Sequence, residues 1–189
     1  MTRQTVLAVI SVVCLLLSGP HAAGQGAAPA YRIKPSDVAV PPDVKLGEYQ
    51  RTTRPFENWT LICDENLQAR KKVCNISQSF IDQGQAMVFS WSLAADERGK
   101  PFMILRAPSA AGAGSKLSLR FAGRKQPVDV QLQGCDASVC VGYLPVGPVL
   151  REQIGKETMV QVSYSLPSGA TVSLDAPFKG LKTALSAIN

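Results

Sequence analysis

The chain has 189 residues, enough for one domain of ordinary size plus some non-globular sequence. A hydrophobic content of 46% with 18% charge excludes an intrinsically disordered chain and leaves a globular one. The formal net charge of +6 favours contact with anionic surfaces, without specifying which.

The first element is a targeting signal. Residues 1–5 carry one basic side chain, Arg3, and no acid. An apolar run of Val, Leu, Ile and Ala fills residues 6–18, Gly19-Pro20 ends it, and small residues follow at Ala22, Ala23 and Gly24. This is the order of a secretory signal peptide, so residues 1–24 are expected to be removed, with cleavage near Gly24. The run, about 13 residues, is too short to span a bilayer comfortably. Cys14 has Val13 before it and Leu15, Leu16 and Leu17 after it, which is not the setting of a lipoprotein site. No later segment is apolar enough for a transmembrane helix, so none is expected after cleavage.

Residues 25–55 read as a Pro/Ala-rich flexible linker, because Pro29, Pro35, Pro41, Pro42 and Pro55 interrupt any regular element. The domain is expected to cover residues 56–189. From Phe56 onward the dominant period is two. Trp59, Leu61 and Cys63 share one face of a first strand, and Cys74, Ile76 and Phe80 share one face of a second. Met87, Phe89, Trp91 and Leu93 alternate with Val88, Ser90 and Ser92, a turn spans residues 96–100, and residues 102–105 form the next strand. Residues 107–115 are a Gly/Ala/Ser/Pro loop. Further alternation places strands at Leu117–Leu119–Phe121, Val128–Val130–Leu132, Val160–Val162–Tyr164–Leu166 and Val172–Leu174. Two short helices interrupt this pattern. One covers residues 148–154, opening on Pro148 and ending before Gly155. The other carries the stripe Phe178, Leu181, Leu185 and Ile188, which suits packing on a sheet. Trp59 and Trp91 fall in the inward phase of their strands and read as core. The fold class is therefore all-β, an antiparallel, jelly-roll-like β-sandwich with two short helices.

Without the leader, four cysteines remain: Cys63, Cys74, Cys135 and Cys140. An even number in an oxidising compartment reads as two disulfides with three possible connectivities. Proximity along the chain favours Cys63–Cys74 and Cys135–Cys140, each closing a short loop at roughly 2–3 kcal/mol of stabilisation. Neither pair is CxxC, and no metal is expected. The only histidine is His21, beside the cleavage site, so the mature chain lacks Ser-His and Cys-His nucleophile systems and His-ligated metals. Asp64-Glu65, Asp96-Glu97 and Asp136 sit in apparent turns, and no P-loop, dinucleotide fingerprint or GxSxG occurs. The chain is expected to be no enzyme and to need no cofactor. The basic residues are scattered except for Arg70-Lys71-Lys72 and Arg124-Lys125, which read as solvated hairpin ends and as weak candidates for an anion-binding face.

The features together have a recognisable order. A leader and Pro-rich linker precede Phe56-Glu57-Asn58-Trp59-Thr60-Leu61-Ile62-Cys63-Asp64. Cys74-Asn75-Ile76-Ser77-Gln78 follows, then Gly134-Cys135 and Cys140, a helix from Pro148, and an ending with Leu174, Phe178, Gly180 and Leu181. This resembles the invasion-associated locus B family of exported bacterial proteins over about residues 56–189. The resemblance implies a compact β-sandwich-like fold in the periplasm, at the outer membrane or outside the cell. The family is named for a role in host-cell, particularly erythrocyte, invasion, though many members come from bacteria without that lifestyle. The four cysteines carry over as structural positions, and no catalytic residue does. The family's Gly-Phe pair near the final helix is here Gly180-Leu181. The expected function is that of an exported, non-catalytic binding module with an unknown protein, glycan or anionic envelope component as partner, and no nucleic acid. The competing reading is an accessory envelope protein that supports envelope integrity with no host target.

Overall fold

The computed structural model describes residues 34, 36, 38–95 and 98–188. The signal segment 1–24, residues 25–33 of the linker and Asp96-Glu97 lie outside the described residues.

Eleven strands, two α-helices and a single 3-10 turn (Ser109–Ala111) occur among the described residues. The strands are β1 (Tyr49–Phe56), β2 (Trp59–Asn66), β3 (Lys71–Ile81), β4 (Met87–Ala95), β5 (Pro101–Pro108), β6 (Lys116–Phe121), β7 (Val128–Gln131), β8 (Gly134–Cys135), β9 (Val139–Pro145), β10 (Met159–Ser165) and β11 (Thr171–Pro177). Helix α1 (Pro148–Gly155) lies between β9 and β10, and α2 (Leu181–Ser186) follows β11. They build two antiparallel sheets, ordered β1-β2-β3-β4-β5-β9-β8 and β11-β10-β6-β7. The first five strands are a meander. The chain switches sheets after β5, β7 and β9, so the jelly-roll likeness is confined to its second half.

The alternation read from the sequence sets the faces. In the larger sheet Trp59, Leu61, Ile76, Phe89, Trp91, Met103 and Leu105 are buried. The smaller sheet answers with Leu117, Leu119, Phe121, Val160, Val162 and Tyr164, all buried. It does not cover the whole inner face of its partner. Toward β1, β2 and β3 that face is capped by α2, which contacts all three strands. Phe178, just before α2, is fully buried and stacks on Trp91 with ring centroids 5.0 Å apart, while Trp59 lies 5.6 Å from Trp91. Such stacked aromatics add about 0.5–1.5 kcal/mol per pair beyond their area. Their polar atoms are satisfied. Trp91 Nε1 donates to Gln78 Oε1 at 2.8 Å, Gln78 Nε2 donates to the Pro177 carbonyl at 3.3 Å, and Trp59 Nε1 donates to the same carbonyl at 3.2 Å. The end of β11 is thus tied to β2, β3 and β4.

Three local differences from the sequence reading have physical causes. Strand β1 begins at Tyr49, ahead of the boundary expected at Phe56, and so takes the last residues assigned to the linker. Its Pro55 is compatible because β1 is an edge strand, where a missing N–H costs no ladder bond. Strand β5 runs on to Pro108, into the segment expected to be loop, with Ala107 buried. Strand β9 was not anticipated, because Gly142 and Pro145 break its apolar alternation. Gly142 is required there: a Cβ would sit 2.9 Å from Val130 Cγ1 and 3.0 Å from the Gln131 carbonyl, where the two sheets approach. Helix α1 begins at Pro148 as expected and runs one residue further, through Gly155. The C-terminal stripe is only partly helical. Phe178 precedes the helix, and Gly180, with φ of 91°, turns the chain into it. A side chain at Gly180 would collide with the Phe56 carbonyl oxygen.

Candidate functional site

The partial cover of the larger sheet leaves a groove. Where α2 ends, the inner faces of β3 and β4 and the start of β5 surround a concavity of about 510 Å³. Ile76, Leu93 and Ala95 line its floor, Leu185 and Ile188 its helical wall, and Pro101 its far end. The volume lies within the roughly 300–1,000 Å³ of small-ligand sites. Lys72 stands at the rim, brought there by β3, whose inward phase continues from Ile76 through Cys74 to Lys72. Glu65 is its cross-strand neighbour, and among the described residues Lys72 makes no ion pair. The arrangement is an apolar trough with one ammonium at its mouth, able to take an apolar group attached to an acidic one.

The cysteines pair as proximity favoured. Cys63 and Cys74 are bonded across β2 and β3, and Cys135 and Cys140 across β8 and β9. The first bond lies on the inner face and borders the groove through Cys74. In the second, Cys140 is buried and Cys135 exposed.

The basic candidates do not form one face. Arg70 occupies the β2–β3 turn with φ of 51°, and Lys71 and Lys72 open β3 with opposite facing. Lys71 borders a separate concavity with Asp64 and Tyr49. Arg124 lies in the β6–β7 connection of the other sheet, 3.5 Å from Glu152, with exposed Lys125 beside it. Only Lys72 reaches the groove.

Three of the carboxylates are in structural use. Asp64 receives Arg51 Nε and Nη2 at 2.7 and 2.9 Å, and this hydrogen-bonded guanidinium holds its carboxyl below the usual range. Asp136 accepts the backbone N–H groups of Val139 and Ser138 at 2.8 and 2.7 Å, capping the turn closed by the second disulfide, and those bonds lower its pKa too. Glu152 is lowered by its bond to Lys156 and then by Arg124. Among the described residues no group of three or more His, Cys, Asp or Glu could hold a metal. No helix among them is long and apolar enough to cross a membrane. Sequence reading missed the groove. The one signal was the surplus of apolar residues late in the stripe: Leu185 and Ile188 remain only partly buried.

These features define a small, disulfide-tied, two-sheet antiparallel β protein closed by a C-terminal helix. Residues 59–189 match the family described as invasion associated locus B (IalB) protein, and the chain belongs to that family. Among solved structures, the invasion associated protein B from Bartonella henselae is similar, with a TM-score of 0.59 at 15% identity, covering 72% of this chain and 95% of that one. At that identity the likeness speaks for the fold. No curated protein matches.

Proposed function

We propose that the chain is an exported, non-catalytic binding protein of the bacterial envelope or its exterior, using the groove beside α2 to hold the apolar part of its partner. The observation that carries this reading is the groove itself, a ligand-sized apolar trough with Lys72 at its rim. Export is supported by the leader-like N-terminus and by two disulfides, which suit an oxidising compartment. A non-catalytic role is supported by the single histidine lying in the leader and by the engagement of Asp64, Asp136 and Glu152 in ion pairs or turn caps. The partner is a component either of host-cell membranes, as the family name suggests for some relatives, or of the bacterium's own envelope.

Affinity capture tests this. The full chain is expressed with its leader, purified oxidised, immobilised, and exposed separately to host-cell membranes and envelope extract. Saturable capture that is lost in Ile188→Glu, and lost on reduction and alkylation, is expected. Capture from host membranes assigns the invasion-linked role, and capture from envelope extract alone assigns the accessory one. No saturable capture from either source would sink the binding reading, and capture indifferent to Ile188→Glu would remove the groove from it.

A further inference from the structure

The outer face of the larger sheet is unusual for a surface bathed in water. Its outward positions on the central strands are Asn75, Ser77 and Ser79 of β3, Ser90, Ser92 and Ala94 of β4, and, on β5 and β9, mainly apolar or aromatic residues. Across those positions of β4, β5 and β9 and of β3 from Asn75 to Ser79, the one charged side chain is Arg106. Wet sheet faces ordinarily carry mixed charges, and a neutral face with exposed aromatics marks recognition.

Arg106 is half-buried. Its Nη1 donates to Ser92 Oγ at 3.0 Å, and Ser92 is only 1% exposed beneath it. Among the described residues no carboxylate lies within ion-pair distance of this guanidinium. A guanidinium has five N–H donors in a planar fork suited to a bidentate carboxylate, so most of its capacity is open. Beside it is an aromatic platform. Phe102 and Tyr143 have ring centroids 6.0 Å apart, Tyr143 is 48% exposed, and the pair lines a shallow concavity of about 390 Å³ with Lys100, Pro101 and Pro145. The register puts Arg106 opposite Val141 and Ile104 opposite Tyr143. Tyr143 is therefore the diagonal neighbour of Arg106 on the same face, with Cα atoms about 7–8 Å apart.

We propose that this outer face is a subsite for a chain-terminal carboxylated sugar. The carboxylate pairs with Arg106, and a C–H face of the ring lies on Tyr143 with Phe102 behind it. A shallow, open platform fits a sugar ring and not an alkyl chain, which the groove on the inner face would suit. The subsite is independent of the groove, so either can fail without the other.

The test is titration of the oxidised protein, purified after expression with its leader, with four probes: a sialyl-terminated oligosaccharide, a glucuronyl-terminated oligosaccharide, lactose, and a short peptide with a free C-terminal carboxylate. Binding is followed by calorimetry and by tyrosine fluorescence. One or both acidic oligosaccharides are expected to bind, and which one does identifies the source of the ligand. Loss of a charge-assisted pair in Arg106→Gln should weaken that binding at least about tenfold. Tyr143→Ala, at an exposed site that leaves the fold intact, should weaken it similarly with unchanged melting temperature. Equal binding of lactose, binding of the peptide alone, no binding of either acidic oligosaccharide, or parental affinity in both variants would each overturn the proposal.

Discussion

The two faces of the larger sheet come from the same strands and behave as opposites. On the inner face Trp59, Trp91 and Phe178 stack, and the indole N–H groups of both tryptophans end on Gln78 or the Pro177 carbonyl. Residues one step along the same strands point outward to serines, Ile104, Tyr143 and Arg106. The inner face is covered by a second layer and has its polar atoms satisfied. The outer face is nearly as neutral yet has no such layer over Tyr143. Alternation separates two faces, and only the second layer decides which becomes core.

The comparison can be broken most directly by truncating one aromatic on each face. Trp91→Ala removes a fully buried ring and should cost about 3–5 kcal/mol, lowering the denaturant midpoint sharply. Tyr143→Ala should stay within about 0.5 kcal/mol. Equal losses would mean that the outer face is core in solution, covered by something else.

The disulfides give the next effect. Cys63–Cys74 encloses a sequence separation of 11 on the inner face, and Cys135–Cys140 a separation of 5 at the sheet edge. The loop-closure relation puts their removal at about 3 and about 2 kcal/mol. Paired Cys→Ala variants compared by urea unfolding check the order, and a reversed order would show that turn order around Asp136 outweighs chain entropy.

The smallest effect belongs to the outer-face ion pair. The Arg51 guanidinium holds Asp64 below the ordinary carboxylate value of 3.8, so the folded state binds the proton less readily than the unfolded chain. Its contribution is therefore present above the unfolded value and fades as pH falls through the lowered one. Both side chains keep about a third of their surface in water, so solvent screens the pair. Asp64→Asn should lower stability slightly near neutrality and converge with the parent at acid pH, so that the acid limb of the stability curve is slightly flatter. An equal acid limb in both proteins would remove Asp64 from the acid response.

Much of the fold was legible because burial repeats with the period of the strand. The positions Trp59-Leu61-Cys63 and Met87-Phe89-Trp91-Leu93 announced their strands, and the spacing of the cysteines announced their partners. Strand β9 was not legible, since Gly142 is chosen for close approach to Val130 and leaves no hydrophobic mark. Strand β1 was hidden by Pro55, which an edge tolerates. Of the basic candidates only Lys72 joins the groove beside α2, since facing along β3 separates it from Lys71, while Arg124 lines a separate concavity of about 420 Å³ on the other sheet.

Composition, alternation and cysteine count by themselves determined an all-β, disulfide-bonded chain with a leader-like start, because each depends on residues near in sequence. The groove, the engagement of the carboxylates and the pairing of Arg106 with an aromatic platform were decided by tertiary structure. They depend on register between distant strands and on where α2 ends, and neither quantity is written in any local stretch of the chain.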